Sequence, residues 1–340
     1  MVTTHTQWTN LPLSIHVKSC KICQQLKNPP GKPVGFLQST ITSEPGEMLG
    51  VDLMGPLPSS KAQKTVLMVV VDYFSKWVEL FALQDAKVPK ICSTLKDEIF
   101  TRWGVPKYIV SDRGPQFTSS MLQELYIVWG IKQKLTTAYH PQTNLTERVN
   151  RTLKTMVASY VGERHQDWDR WLPELRFPIN TAVHEATGQT PARVAIGRQL
   201  KSPLDRLITP APLPDSKTYN TIQILEKLKQ QVQRRLVSAT SRQAKYYNAR
   251  RRAVPFAVGD LVWTRTHPIS SAVNRFAAKL APKWGGPLRI IKRLGPVNFR
   301  VQRGSGVDAI VETIHVANIK PYFGPAVPPT GGGDLCSAAT

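Results

Sequence analysis

The sequence predicts a mixed α/β core with flanking helices, then a helical linker, then a small all-β barrel, in that order along 340 residues. Three observations point there. Apolar runs of strand length alternate with helix-length stretches between Leu49 and Val161. A long amphipathic stretch follows from Asn220 to Arg251. Beyond it, short β-type runs separated by Gly and Pro turns continue to about Phe323. A chain of this length exceeds one ordinary domain, so its divisions come before its chemistry.

Near the start, Cys20 and Cys23 precede a Pro- and Gly-containing break over Asn28–Pro33. Leu49–Leu53, Val66–Asp72 and Trp77–Leu83 read as strands, and Val88–Arg102 as a helix. Tyr108–Val110 reads as a short buried strand, Ser120–Trp129 as a helix with Thr118 or Ser119 as its N-cap, and Ile131–Leu135 as a strand. Thr146–Val161 closes the core as a long helix. Ile208–Ser216 is Pro-rich and poor in charge, a linker composition. In Asn220–Arg251 the apolar positions are Ile222, Ile224, Leu225, Leu228, Val232 and Leu236, set among Lys, Arg and Gln, so the polar face is basic. Leu261–Thr264, Leu288–Lys292, Phe299–Gln302 and Ala309–Thr313 are the strands of the expected barrel, with Trp263 and Trp284 in its core. Pro325–Thr340 contains Gly331, Gly332 and Gly333 and little apolar bulk, and is expected to be disordered. The divisions that follow are 1–33, 40–207, 208–252, 253–323 and 324–340.

Lys and Arg total 45 against 23 Asp and Glu, a formal charge of +22, which points to a polyanionic partner. The longest apolar run, Val66–Val71, is too short to span a bilayer. Met1–Leu13 lacks the charged start and apolar stretch of a secretory signal, so an intracellular, nuclear location is expected. The four cysteines, at 20, 23, 92 and 336, include one close pair, which argues against a disulfide framework.

Asp52 lies near the end of the first strand, Asp112 follows the short strand Tyr108–Val110, and Glu147 opens the long helix. Three acids so placed can converge at one sheet edge. Few carboxylates, completed by waters and phosphate oxygens, suit Mg²⁺. Two such ions about 3.5–4 Å apart would activate an attacking oxygen and stabilise a leaving one. Any single acid is more often a solvated surface charge, so the motifs around these three decide the matter.

Asp52 stands in Val-Asp-Leu-Met-Gly-Pro-Leu-Pro and Asp112 in Ser-Asp-Arg-Gly-Pro-Gln-Phe. Glu147 follows His-Pro-Gln-Thr and directly precedes Arg-Val-Asn-Arg-Thr-Leu-Lys. Together these segments resemble the core of the Gypsy-type retroelement integrases. The resemblance implies a ribonuclease-H-like core over 40–207 and an Asp-Asp-Glu polynucleotidyl transferase that binds two Mg²⁺ or Mn²⁺ ions through Asp52, Asp112 and Glu147. It implies 3′-end trimming of element DNA and strand transfer into target DNA. Asn150, Arg151 and Lys154 share a helix face with Glu147, and in the family that face meets the DNA end. Arg250, Arg251 and Arg252, beside a DNA-handling core, are expected to contact backbone phosphates. Asp72, in Val-Val-Val-Asp-Tyr-Phe-Ser-Lys-Trp, also matches the family, as a turn residue and not a ligand. Gly114 and Pro115 read as turn chemistry.

Asp112 and Glu147 are 35 residues apart, one fewer than is usual in that family, with the shortfall between Gln142 and Glu147 where a Gly commonly stands. Cys20 and Cys23 have half the spacing pattern of a tetrahedral zinc site, but His5 and His16 are not at the family's usual distances. Residues 1–33 therefore read as a shortened remnant of a zinc-binding segment, and bound zinc is not expected. Pro255–Trp263, Lys283–Pro287 and His315–Phe323 resemble the small barrel that follows the core in these integrases. The partners implied are element and target DNA and further copies of the chain, with no membrane. The alternative is a domesticated or decayed integrase that grips DNA without cutting it.

Overall fold

The computed structural model of the protein describes residues 19–38, 40–136, 145–161, 164–208, 218–271, 275–304 and 309–324. Of the side chains at 145–148, 204, 206, 208 and 218–222 nothing is described. His5, His16, Cys336 and the expected disordered tail lie outside the described residues, as does the segment 137–144, which holds most of the shortened loop. The chain forms two compact units: Phe36–Arg250, and Met1–Gly35 together with Arg251–Thr340.

The first unit is built on a five-stranded sheet. Its elements are β1 (Met48–Met54), β2 (Val66–Asp72), β3 (Val78–Leu83), α2 (Val88–Thr94), β4 (Tyr108–Ser111), α3 (Ser120–Val128), β5 (Lys132–Leu135) and α4 (Leu145–Val161), following the α1 helix (Lys21–Leu26) of the other unit. Helix α2 runs on through a π-helical stretch, Leu95–Phe100, and a last turn, Thr101–Trp103. The strand order is β3-β2-β1-β4-β5, with β1, β2 and β3 antiparallel and β4 and β5 parallel to β1 and to each other. Every residue of β2 is buried, and its alternation shows why the run is continuously apolar. Val66, Met68 and Val70 pack with Ile91, Leu95 and Ile99 and with Leu122 and Tyr126 of α3. Leu67, Val69 and Val71 pack on the opposite face with Leu153 of α4 and with Trp168, Leu172 and Leu175. A strand covered on both faces has no polar side to show.

Further helices follow: a 3-10 stretch at His165–Trp171, α5 (Leu172–Thr181), α6 (Pro191–Ile196), α7 (Pro203–Ile208) and the 32-residue α8 (Thr218–Ala249). Asn180 of α5 closes the edge strand β3, accepting from Val78 N and donating to Val78 O, both at 2.8 Å. In α8 a narrow stripe of Leu228, Val232 and Leu236, spaced by four, packs with Phe74 and Val194. Ile224 and Leu225 instead stay exposed. The expected linker helix is thus seated in the core unit by one row of side chains. No helix among the described residues is long and apolar enough to cross a membrane.

The second unit carries β6 (Leu261–Arg265), β7 (Trp284–Arg293), β8 (Asn298–Arg303), β9 (Ile310–His315) and β10 (Ile319–Pro321), ordered β10-β6-β7-β8-β9. Trp263, Trp284, Phe299 and Val301 are buried in it, as the aromatic placement predicts. The expected barrel does not close: among the described residues β9 and β10 are not paired to each other. A 3-10 turn at Val316–Asn318 carries the chain from β9 to the far edge, where β10 pairs with β6. Residues 19–35 belong to this unit. Val34 bridges to Arg252 and joins the apolar cluster of Phe256, Leu288 and Val316. Gln24 of α1 accepts from Trp263 Nε1 at 2.8 Å and from Phe323 N at 3.0 Å, and the Lys320 ammonium donates to the carbonyls of Gln24 and Lys27.

Candidate active site

The separation of Asp52 and Asp112 is a register. β1 and β4 are parallel with Met48 opposite Tyr108, Leu49 opposite Ile109 and Gly50 opposite Val110, a constant offset of 60. The pairing ends at Gly50–Val110, Asp52 lies two residues further along β1, and Asp112 directly follows the end of β4. Strand alternation sets Asp52 on the same face of β1 as Met54, the one on which α4 packs. In open α/β sheets this end of the parallel strands is where ligands bind.

Asp52 is half-buried: its Oδ1 accepts from Leu53 N at 2.9 Å and its Oδ2 from Asn150 Nδ2 at 2.7 Å. Asp112 is exposed, and its Oδ1 accepts from Gly114 N at 2.9 Å. A Cβ at residue 114 would lie 3.0 Å from that oxygen, so the close approach of the turn depends on glycine. The loop is tied to β5: Arg113 Nε donates to Thr136 O at 2.9 Å, Thr136 N to Ser111 O at 2.9 Å, and Gln133 Nε2 to Phe117 O at 2.8 Å. Ser119 occupies the N-cap position of α3 without making a side-chain cap, because its hydroxyl donates to Gln116 O at 3.0 Å.

Glu147 lies in the first turn of α4, with its side chain outside the described set. Asn150 is three residues on, about 4.5 Å along the helix axis. The hydrogen bond from Asn150 to Asp52 therefore brings the turn that carries Glu147 to the end of β1. Of the four residues expected to share one helix face, Asn150 turns inward to Asp52, whereas Arg151 and Lys154 are exposed. The Oδ1 of Asn150 is buried with no hydrogen-bond partner. Among the described residues no three His, Cys, Asp or Glu side chains group as a metal site.

Asp72 lies at the opposite end of the sheet, paired with Leu49. Its carboxylate accepts from the backbone N–H groups of Gly46, Phe74 and Ser75 and from the Ser75 hydroxyl, while burial pushes its pKa up from the usual value. That is the work of a turn residue. Arg250 and Arg252 are exposed, and Arg251 donates to Val34 O at 3.3 Å. Sequence reasoning misses a basic cluster at the end of β4 away from Asp112, in which Lys134 Nζ sits 3.7 Å from the centre of the Tyr108 ring and Lys107 Nζ 5.3 Å from it. The alternation Lys132-Gln-Lys134 on β5, the strand paired with β4, is its signal.

Residues 42–141 match the family described as Integrase core domain, and residues 259–323 the Tf2-1-like SH3 domain. The Transposon Tf2-3 and Tf2-4 polyproteins of Schizosaccharomyces pombe are each 27% identical over 318 residues, covering 90% of this chain and 23% of the polyprotein. The chain thus spans about a quarter of the length of these relatives. A chain in the simian T-cell lymphotropic virus intasome, solved in complex with PP2A regulatory subunit B56 gamma, shares the fold. Its TM-score is 0.55 at 19% identity, over 92% of this chain and 89% of that one. An integrase core match followed by a Tf2-1-like SH3 match in one chain supports the resemblance to the integrases of Gypsy-type long-terminal-repeat retrotransposons.

Proposed function

We propose that this chain is an Asp-Asp-Glu polynucleotidyl transferase that trims the 3′ ends of retroelement DNA and joins them to target DNA in the nucleus, as an oligomer. One observation carries the reading: β1 and β4 pair in parallel at an offset of 60, the separation of Asp52 and Asp112, and Asn150, on the helix that bears Glu147, is bonded to Asp52. The donor set is oxygen-rich, with two carboxylates, a third on the facing helix and the unpartnered Asn150 Oδ1, which suits a hard divalent cation. Asp52, Asp112 and Glu147 would hold two Mg²⁺ or Mn²⁺ ions, which when bound lower the cost of generating the attacking oxyanion and of releasing the leaving one.

The chain's own residues would arrange the exchange. In trimming, water is the nucleophile, its oxygen bonds to phosphorus, and the departing 3′ oxygen takes a proton. In joining, the freed 3′ hydroxyl attacks a target phosphodiester in the same way, and one P–O bond forms as another breaks. Asn150 orients the Asp52 carboxylate, and the Gly114 turn orients that of Asp112. Arg151 and Lys154, exposed on α4, would hold the element's end, and Arg250 and Arg252 would neutralise phosphates further along.

Incubating the purified chain with the element's terminal DNA and Mg²⁺ or Mn²⁺ tests this. Shortened 3′ ends and joined products support it. Tight, salt-sensitive binding with neither product would instead support a DNA-binding protein that no longer cuts, the reading to which the shortened loop before Glu147 gives weight.

A further inference from the structure

On the α2 side of the core sheet, around the turn that carries Asp72, lies a cavity of about 140 Å³. Leu49, Val70 and Ile99 give it apolar walls. Trp77 and Trp103 close it, their rings tilted by 52° with centres 5.3 Å apart. Trp77 is fixed, because its indole N–H donates to Glu79 Oε1 at 2.9 Å. Trp103 is 43% exposed, so the cavity opens to solvent at this ring. The π-helical stretch Leu95–Phe100 counters the drift of about 40° per four residues that a regular helix would impose, and so helps to hold Ile99 and Trp103 in the row begun by Ile91 and Leu95. Such stretches are frequent at functional sites.

The charge of the lining runs against that of the chain. The protein carries a formal +22, yet two acids line this cavity and no Lys, Arg or His does. Glu79 is paired with Arg176, 2.7 Å away. Asp72 is 6% exposed and has no ion-pair partner among the described residues. A buried carboxylate without a counter-charge is costly, and burial raises its pKa accordingly. A cation in the cavity would supply what is missing. The hydrogen bonds say which kind. Asp72 already accepts from three backbone N–H groups and the Ser75 hydroxyl, and Glu79 from Trp77 and Arg176. A primary ammonium would find few acceptors left for its three N–H bonds, whereas a quaternary ammonium has none to satisfy and is drawn to aromatic faces. A cavity of about 150 Å³ holds a benzene-sized group, so a trimethylammonium head fits this one. A neighbouring cavity of about 260 Å³ shares Pro45, Gly46 and Trp103 and adds Glu44 and Glu47 against the single base Lys107. A phosphate tethered to the cation would be set against those acids, and a peptide would not.

We propose that this cavity receives the trimethylammonium head of a fully methylated lysine side chain on a partner protein, with Trp77 and Trp103 as its aromatic wall and Asp72 as its counter-charge. The assignment goes beyond the DNA-joining reading and does not depend on it.

The test uses the full chain with ¹⁵N-labelled indoles, titrated with N-acetyl-trimethyl-lysine methylamide, with its neutral analogue in which carbon replaces the ammonium nitrogen, with the unmethylated lysine compound, and with phosphocholine. Saturable shifts of the Trp77 and Trp103 indole resonances are expected with the trimethyl-lysine compound, at an affinity about fivefold or more above that of the neutral analogue. Trp103→Leu keeps apolar cover at a part-exposed position and removes one ring face, and should weaken binding by about fivefold. Asp72→Asn should weaken it too, and if that variant fails to fold, the neutral analogue on the natural chain still measures the charge. Equal binding of the charged and neutral compounds overturns the proposal, as do unmoved Trp77 and Trp103 resonances. Tighter binding of unmethylated lysine overturns the assignment to a quaternary cation, and tighter binding of phosphocholine overturns the assignment to a protein side chain.

Discussion

The carboxamide of Asn150 donates to the Asp52 carboxylate across 2.7 Å, linking the long helix of the core to the central strand of its sheet. Asn150 is half-buried, and its remaining oxygen has no partner, so its position answers to Asp52 more than to solvent. Groups that orient a metal ligand typically change metal affinity or activity by about 10–100-fold when removed. Asn150→Ala should therefore lower end joining by that order and raise the Mg²⁺ concentration needed for half-maximal activity. Asn150→Asp should do more harm, since it sets a second negative charge against the first. Magnesium titrations of both variants decide it, and an unchanged Mg²⁺ requirement in each would reduce the contact to packing.

Glu147→Gln should abolish trimming and joining while duplex affinity stays within about twofold, because the change removes one ligand charge and leaves the exposed Arg151 and Lys154 untouched. Joining by the variant at the wild-type rate would refute the role of Glu147. If the natural chain is inactive, a Gly inserted between Asn144 and Leu145 should restore some joining by returning backbone freedom to the loop. Inactivity of both natural and lengthened chains would favour the DNA-binding reading.

The long helix α8 bears on stability and DNA affinity through different residues. Leu236 is 7% exposed in the cluster with Phe74 and Val194, whereas Ile224 is 55% exposed. Leu236→Ala should cost about 2–5 kcal/mol and lower the melting midpoint by roughly 4–20 °C. Ile224→Ala should stay within about 0.5 kcal/mol. Deleting everything after Asn220 would strip that cover from Phe74 and confound a binding measurement with unfolding. Arg234, Arg242 and Lys245 are exposed, and replacing all three with Gln isolates the electrostatic part. Each phosphate that the variant no longer neutralises should flatten the log-log salt slope by about 0.9. Calorimetry and salt titrations separate the two effects, and an unchanged slope would show that this face does not touch DNA.

How far the sequence can be read follows from the strength of each local pattern. The run Val66–Asp72 is β2 to the residue, because a continuous apolar stretch bounded by turns has few other uses in a domain. The separation of Asp52 and Asp112 equals the offset of 60 at which β1 and β4 pair, a relation that only the pairing reveals. Helix α5 is hidden in the sequence because Pro173 and Pro178 look like breakers, although Pro173 falls in the first turn, where proline is tolerated, and Pro178 stands inside the helix. The docking of α1 depends on Gln24 and Lys320, polar residues 296 apart whose burial no periodicity signals. Helical spacing groups Asn150 with Glu147 on a face expected to meet DNA, while its actual partner lies on a strand 98 residues away.

Lys320 gives the second unit a pH dependence of definite sign. Burial lowers its pKa to about 8 in the folded protein, against about 10.4 for a free lysine. Between those values the unfolded chain holds a proton that the folded chain has released, so stability rises with pH across the window. Below about 8 both states are protonated, and the full cost of burying the charge is present. Its ammonium also donates to the carbonyls of Gln24 and Lys27, and a neutral amine still has hydrogens for both. The contact with α1 therefore survives deprotonation while the desolvation penalty is relieved. Urea unfolding, followed through the indole signals of Trp263 and Trp284 at pH 7.5 and 9.5, should show the unit gaining stability at the higher pH. Lys320→Met should be less stable at pH 7.5, having left two carbonyls without a donor, and should lose the part of the pH slope that belongs to this amine. Other groups titrate in the same range, so the difference between the two chains is the quantity to read. Equal slopes in both would mean that Lys320 keeps its ordinary affinity for the proton.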